Sequence, residues 1–308
     1  MLSIESLKRK IQSTEDLGSV VKTMKTLAAV NIRQYERAVK SLADYNHNVE
    51  LGLMAVLKSR PGYVVGARRL RSQGQPIPTG AVFFGSDQGM CGPLNEQVFQ
   101  KGEDLIKSID INKQDIAVLA LGERLYYQLQ DAGYRVKEYL SMPGSVSGIT
   151  SKVQDILLNI EAWTEKRGIS RVYLLYSKMV SAQTGRGHAV RLLPLDEDWL
   201  SDLRKTRWPT RNLPMFTMDF DPLFSALINQ YLFVSLFRAF AESLASENAQ
   251  RLASMQGAEK NIGERLGELN TMFHQMRQMS ITEELLDIVS GFEALEQAEK
   301  RQDTDEPA

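Results

Sequence analysis

The loop Gly85-Ser86-Asp87-Gln88-Gly89-Met90-Cys91-Gly92 holds the residues with the most chemical promise. It follows an apolar run and precedes a helical pattern, the position in which backbone amides and a helix N-terminus can hold phosphate. Its spacing fits neither the dinucleotide fingerprint nor a Walker A loop, and no Lys-Ser or Lys-Thr pair follows. Glycines that pack a strand tightly against a helix explain it better. Gly185-Arg186-Gly187-His188 reads as a second glycine turn, in a hairpin, without chemistry of its own. Asp87, Asp196, Glu197 and Asp198 could serve as general acids or bases, but no histidine, metal set or second carboxylate converges on them. They read as ordinary loop carboxylates. Cys91 is the one cysteine, so no internal disulfide can form, and a buried thiol fits better than a nucleophile without a paired histidine. His47, His188 and His274 lie far apart and make no zinc spacing. The expectation is a chain with no catalytic residue, no cofactor site and no metal site.

The elements around these loops are more informative. From Val21 a seam of alternating four- and three-residue steps runs through Met24, Ala28, Asn31, Tyr35, Ala38, Leu42, Tyr45 and Val49. A second begins at Phe220 and Phe224 and continues through Leu227, Tyr231, Val234, Arg238, Ala241, Ala245, Asn248, Leu252, Met255, Glu259, Ile262, Leu266, Leu269, Phe273 and Met276 to Ser280. A strict heptad seam keeps one stripe of a helix against a partner helix, the mark of a coiled coil. Ahead of Val21, the positions Ile4, Leu7, Ile11, Thr14 and Leu17 extend the first seam with one shortened step, which would overwind it locally. Proline is absent from residues 1–60 and 223–306, so 2–57 and 223–295 can be single helices of about 80 and about 110 Å at 1.5 Å per residue.

Two seam positions are asparagine, and a buried polar pair often sets register. Placing Asn31 opposite Asn248 in an antiparallel pair sets Tyr35 across from Ala245 and Ala38 across from Ala241. It also sets Val21 near Glu259 and Leu42 near Arg238, its two weak points. Leu2 then falls opposite Arg277, and the helix beyond has nothing left to pair with. Its apolar residues Ile281, Leu285, Leu286, Ile288, Val289 and Phe292 would protrude, which implies a surrounding partner.

Between the long helices, short apolar runs alternate with helical ones. Strands are expected at 81–84, 116–121, 134–139, 172–176 and 189–193, with helices at 94–106, 123–130 and 151–166. That alternation predicts a mostly parallel, Rossmann-like sheet covered by helices. The expected division is an N-terminal coiled-coil helix (1–59), a basic linker or loop (60–80), a central α/β domain (81–205), and a C-terminal coiled-coil helix with its lead-in (206–295). A charged tail (296–308) is expected to be disordered. Asp221 and Pro222 read as N-cap and first residue of the last helix. The fold class is α/β with a long antiparallel two-helix coiled coil.

Charge is balanced, 37 basic against 38 acidic residues, which argues against a nucleic-acid partner. The beginning of the chain has no signal-peptide pattern, and no run reaches the roughly 18 apolar residues of a membrane span; a soluble, cytoplasmic protein is expected. The cluster Lys8-Arg9-Lys10 is either a solvated helix face or a track along an acidic partner.

Several segments resemble one family, the gamma subunit of F-type ATP synthases. The stretches 245–255 (Ala-Ser-Glu-Asn-Ala-Gln-Arg-Leu-Ala-Ser-Met) and 273–291, from Phe273-His274-Gln275-Met276 to Ile288-Val289-Ser290-Gly291, resemble its C-terminal helix. Residues 86–95 resemble its first strand–loop–helix, and 8–13 with 20–29 its N-terminal helix. The resemblance implies a non-catalytic central-stalk rotor that couples ion flow through a membrane c ring to cycling of catalytic beta subunits. Implied partners are alpha, beta and epsilon subunits and the c ring, with one copy per complex, held peripherally at the cytoplasmic face of a bacterial-type plasma membrane. By motif, Met24, Arg277, Gln278, Thr282 and Glu284 match residues that contact beta. Met218 and Asp219 fall where the family's foot approaches the c ring. The sequence departs from the pattern at Val30-Asn31-Ile32, at Pro93 and at Phe220, so a main synthase and a divergent second ATPase both remain open. Two readings from other classes stand beside this one. One is a nucleotide-dependent enzyme dimerised by its helices, and the other is a structural coiled-coil arm, for which the Walker A loop is missing.

Overall fold

A stretch with no proline and an apolar residue every three or four positions folds as predicted into α1, Ile4–Ser59. The computed structural model describes residues 3–60, 77–181, 184–212 and 214–302, with side chains described as far as 293. The basic segment expected at 60–80 lies mostly outside them, as does Leu2. The elements that follow are β1 (Thr79–Phe84), α2 (Leu94–Ser108), β2 (Ala117–Leu121), α3 (Glu123–Asp131), β3 (Val136–Leu140) and α4 (Val146–Arg167). Then come β4 (Arg171–Met179), β5 (Gly185–Leu193), α5 (Glu197–Lys205) and α6 (Phe220–Gln302).

The chain divides into two units, residues 25–254 and residues 1–24 with 255–308. In the first, five strands lie in the order β3-β2-β1-β4-β5, all parallel except β5, which runs antiparallel to β4. β1 is central and wholly buried, and its alternation sorts the core into two layers. Val82 and Phe84 pack with Leu119, Leu121 and Ile156 of α4 and with Leu236 and Phe240 of α6. Ala81 and Phe83 face the other way, against Val98 and Ile106 of α2 and Leu125 and Leu129 of α3. A third cluster joins the end of α1 (Leu53, Leu57) to Leu200 and Leu203 of α5 and Phe224 of α6. α5 is a helix that the sequence reading did not anticipate; Asp196, taken there for a plain loop carboxylate, caps it by accepting from the Asp198 amide at 3.0 Å.

α1 and α6 pair antiparallel in this unit. Asn31 Nδ2 donates to Asn248 Oδ1 at 3.4 Å, and Gly52 is in close contact with Leu227. Tyr35, Ala241 and Ala245 are buried in one cluster. Arg238, one expected weak point, turns outward and donates to Glu242 at 3.0 Å. Tyr45 is not a seam residue: it is exposed, with its hydroxyl donating to Gln230 at 2.7 Å, while Asn46 takes the inner position.

The second unit consists of the two helix ends. Leu7, Val21, Met255 and Leu269 are buried in it. Leu17, expected on the seam, is 54% exposed, and Gly18 sits inside instead, with Ile262 Cγ2 3.4 Å from where a Cβ would stand. The inner positions therefore run Leu7, Ile11, Thr14, Gly18, Val21, a regular alternation without the shortened, overwound step. Glycine carries no apolar signal, so the pattern had passed over it.

Four further expectations are corrected. Gly185 and Gly187 belong to strand β5 and not to a turn. A Cβ at Gly185 would overlap Ser177, Ser246 and Gln250, and one at Gly187 would overlap the Gln97 carbonyl, so both glycines let helices lie on the strand. α6 starts at Phe220, so Asp221 and Pro222 lie in its first turn; Leu223 N donates to Asp219 O at 3.2 Å, and the missing proline N–H needs no partner there. At the other end the helix continues to Gln302, beyond the expected disordered boundary at 296. α6 also contains a window long and apolar enough to cross a membrane, with mean hydropathy 1.3, against the sequence expectation. Its Leu232, Leu236 and Phe240 go into the core of the first unit.

Candidate functional site

The glycine-rich loop after β1 is closed by its own side chains. Gly85 N donates to Leu121 O at 2.8 Å. Ser86 N donates to Asn95 Oδ1 at 3.0 Å, and Asn95 Nδ2 donates to Ser86 Oγ at 2.9 Å. Asp87, read from sequence as an ordinary carboxylate, ties three segments together. It accepts from the Glu123 amide at 3.0 Å, the Met142 amide at 2.8 Å and the Tyr139 hydroxyl at 3.3 Å. The Asp87 carboxyl thus already takes the amide at the start of α3 and the Met142 amide, so those two donors serve the chain itself. Cys91 is buried with Ser86 Oγ 3.3 Å away, and burial pushes its thiol pKa up, away from nucleophilic use.

Beside this loop lies a cavity of about 210 Å³ lined by Asn31, Tyr35, Asp87, Gln88, Glu247 and Arg251 among others. Glu247 and Arg251 form a buried pair at 2.7 Å, one helical turn apart. Burial raises the Glu247 pKa, and the adjacent guanidinium only partly offsets this. Arg251 Nη2 also reaches the Gln88 carbonyl at 3.5 Å. Among the described residues no three His, Cys, Asp or Glu side chains gather as a metal set. The cavity brings two carboxyls, a guanidinium and a phenol together, but Asp87 and Arg251 bond to other elements and Glu247 to Arg251; none is a nucleophile with a base beside it.

The residues matched to partner contacts lie elsewhere. Arg277, Gln278, Thr282 and Glu284 are exposed on α6, and Thr282 Oγ1 donates only to its own helix, at Gln278 O, 2.9 Å away. Met24 is half-buried. Met218 is 54% exposed beside Asp219 just before α6, and Met215 nearby is almost fully bare. Every residue from 281 to 293 is exposed, including Ile281, Leu285, Leu286, Ile288, Val289 and Phe292. Charged pairs that sequence reasoning missed, Glu247–Arg251 above all, were hidden because a helix buried on every side shows no periodic signal.

A family model described as ATP synthase matches residues 3–295. The chain belongs to the ATP synthase gamma family. Relatives agree over their full length. The ATP synthase gamma chain of Polynucleobacter necessarius subsp. necessarius is 26% identical over 96% of this chain and 100% of its own. That of Pasteurella multocida is 26% identical at the same coverage. Among solved structures, the Euglena gracilis mitochondrial ATP synthase OSCP/F1/c-ring assembly contains a chain with TM-score 0.61 at 16% identity, with 96% of both chains covered. The Tetrahymena thermophila central stalk/c-ring gives 0.54 at 20% identity over 78% of this chain and 99% of that one. At such identities these show a shared gamma fold, long helices with a five-stranded sheet.

Proposed function

We propose that this chain is the non-catalytic central-stalk rotor of an F-type ATP synthase, coupling ion flow through a c ring to cycling of the catalytic beta subunits. The observation that carries the reading is the bare apolar stretch 281–293 of α6, in a chain that matches the gamma family almost end to end. An isolated helix with that many exposed apolar residues is unstable in water and needs a sleeve. Alpha and beta subunits would provide it, with Met24, Arg277, Gln278, Thr282 and Glu284 meeting beta. Met218, Asp219 and the exposed Met215 would approach the c ring, with epsilon beside the α/β domain. The named relatives and the central stalk/c-ring match support these partners. Such a complex would hold the chain at the cytoplasmic face of a bacterial-type membrane without a span of its own.

Mechanically, each beta conformation has its own contact energy with each face of an asymmetric shaft, so rotation shifts populations among the site states. A tagged chain is expected to co-purify with alpha, beta and epsilon subunits, and removal of residues 281–308 to uncouple ATP hydrolysis from rotation. Purification of the chain alone, or unaltered coupling after that removal, would reject the rotor. Stoichiometric ATP or NAD binding by the isolated chain would favour a nucleotide-dependent enzyme instead.

A further inference from the structure

Over residues 239–251, α6 is enclosed on all sides, with only Glu242 slightly exposed, and the enclosed stretch is unusually polar. Most of its polar groups are bonded to one of three different walls. Toward the sheet, Ser246 Oγ and Ser177 Oγ of β4 lie 2.8 Å apart, and Gln250 Nε2 donates to both hydroxyls at 3.3 Å. Glu242, one turn earlier, accepts from the Tyr176 hydroxyl at 3.0 Å and lies 3.6 Å from Lys178 Nζ. Toward the loop after β1, Arg251, braced by Glu247, reaches the Gln88 carbonyl. Toward α1, Asn248 accepts from Asn31.

Successive residues of a helix point about 100° apart. Ser246, Arg251 and Asn248 therefore send these bonds in different directions, Arg251 about 140° and Asn248 about 200° around the helix axis from Ser246. Apolar packing alone resists sliding weakly because it is non-directional. Hydrogen bonds fail steeply with angle, so turning the helix about its own axis breaks at least one set whichever way it turns. Gly185 completes the fit, since any side chain there would displace Ser246 and Gln250 from Ser177.

We infer that residues 242–251 of α6 and their partners Ser177, Gln88 and Asn31 form a splined grip that fixes the helix's rotational angle in the α/β domain, so that torque passes between them without slip. This rests on the rotor reading. Ser177, Ser246 and Gln250 act as positioning residues in it; they touch no reacting group.

The test uses the assembled ATPase with its catalytic ring fixed and a bead on the α/β domain, observed during a stalled dwell. Ser177→Ala, Ser246→Ala and Gln250→Leu together remove the sheet-side bonds and set apolar groups against each other. They also delete Gln250 Oε1, which is buried without a hydrogen-bond partner. Angular variance scales inversely with torsional stiffness, so losing one of three bond directions should raise it about 1.5-fold. The thermal midpoint of the isolated chain should barely move, because both partners become apolar together. A purely structural role would show the reverse, an altered midpoint with equal variance, and equal variance overturns the grip. Should the triple variant not assemble, Gln250→Leu alone is read against the same criterion. An unmodified complex that assembles but never rotates would overturn the rotor reading itself, and the grip with it.

Discussion

Residues 239–251 and 281–293 belong to the same helix, α6, and their surroundings are inverted. The first stretch carries Ser243, Ser246, Glu247, Asn248, Gln250 and Arg251, all buried. The second carries Ile281, Leu285, Leu286, Ile288, Val289 and Phe292, all exposed. Burial of polar groups is tolerable only where partners satisfy them, and the first stretch finds most of its partners within the chain. Exposure of apolar groups on one long helix is tolerable only where another molecule covers them. The contrast teaches that the composition of a helix does not reveal whether it is inside; the origin of its partners does. One stretch of α6 is completed by its own chain; the other leaves its apolar side chains bare.

The most severe way to break that contrast is to orphan a charge in the enclosed stretch. Arg251→Met leaves Glu247 buried with no counter-ion, which should cost roughly 3–5 kcal/mol in denaturant unfolding. Glu247→Leu added to it should restore most of the loss, because a buried pair replaced by apolar residues is often neutral. The Arg251→Met penalty should shrink on acidification. A carboxyl with a raised folded pKa takes its proton sooner in the folded state, so stability is gained below that pKa and lost as pH rises through it. A single variant no more costly than the double would mean that this stretch is wetter than its exposure indicates.

That charged pair also marks the limit of the sequence. Strands, crossover helices and most seam positions were legible because each buries one face and exposes the other, which leaves a period in the residue order. Four features left no such trace. Gly18 holds a seam position by having no side chain, so Leu17 beside it looked the better candidate. Gly185 and Gly187 looked like turn residues because close helix–strand approach and tight turning call for the same amino acid. α5 is one face of a nine-residue helix whose carboxylates read as loop chemistry until Asp196 is seen as a cap. Asp87 was visible as a residue, but its three donors come from segments 36 to 55 positions away. The residues matched to partner contacts were legible only through family resemblance, since no period in the residue order marks them.

An intermediate setting sharpens the comparison. Glu103 on α2 is partly buried, with Lys113 Nζ at 2.7 Å and the Tyr134 hydroxyl at 2.5 Å. Burial alone would raise its pKa, but these two bonds outweigh it and hold the carboxyl below its ordinary value. The sign is opposite to that of Glu247. Stability from Glu103 is present above the ordinary carboxylate pKa and is lost as pH falls through the lower folded value. Glu103→Gln should therefore cost about 1 kcal/mol near neutrality and almost nothing in strong acid, flattening the acid limb of a urea-midpoint profile. A parallel shift at all pH values would mean that the loss comes from packing.

At the far end of the scale, polar substitution of the bare stretch should leave the isolated chain's stability nearly untouched. Ile281→Ser, Leu285→Ser and Phe292→Ser remove side chains that are 49%, 58% and 72% exposed, so little apolar burial is lost and unfolding should shift by no more than about 0.5 kcal/mol. Assembly should respond differently. If a partner sleeve covers these residues, each substitution forfeits burial that exists only in the complex, and co-purification with the catalytic subunits should weaken with every added serine. The measurement compares the two quantities on the same variants. Stability lost with assembly kept would mean that 281–293 pack within their own chain. With both unchanged, the apolar surface would need another explanation. Stability kept with assembly lost is what a helix completed from outside requires.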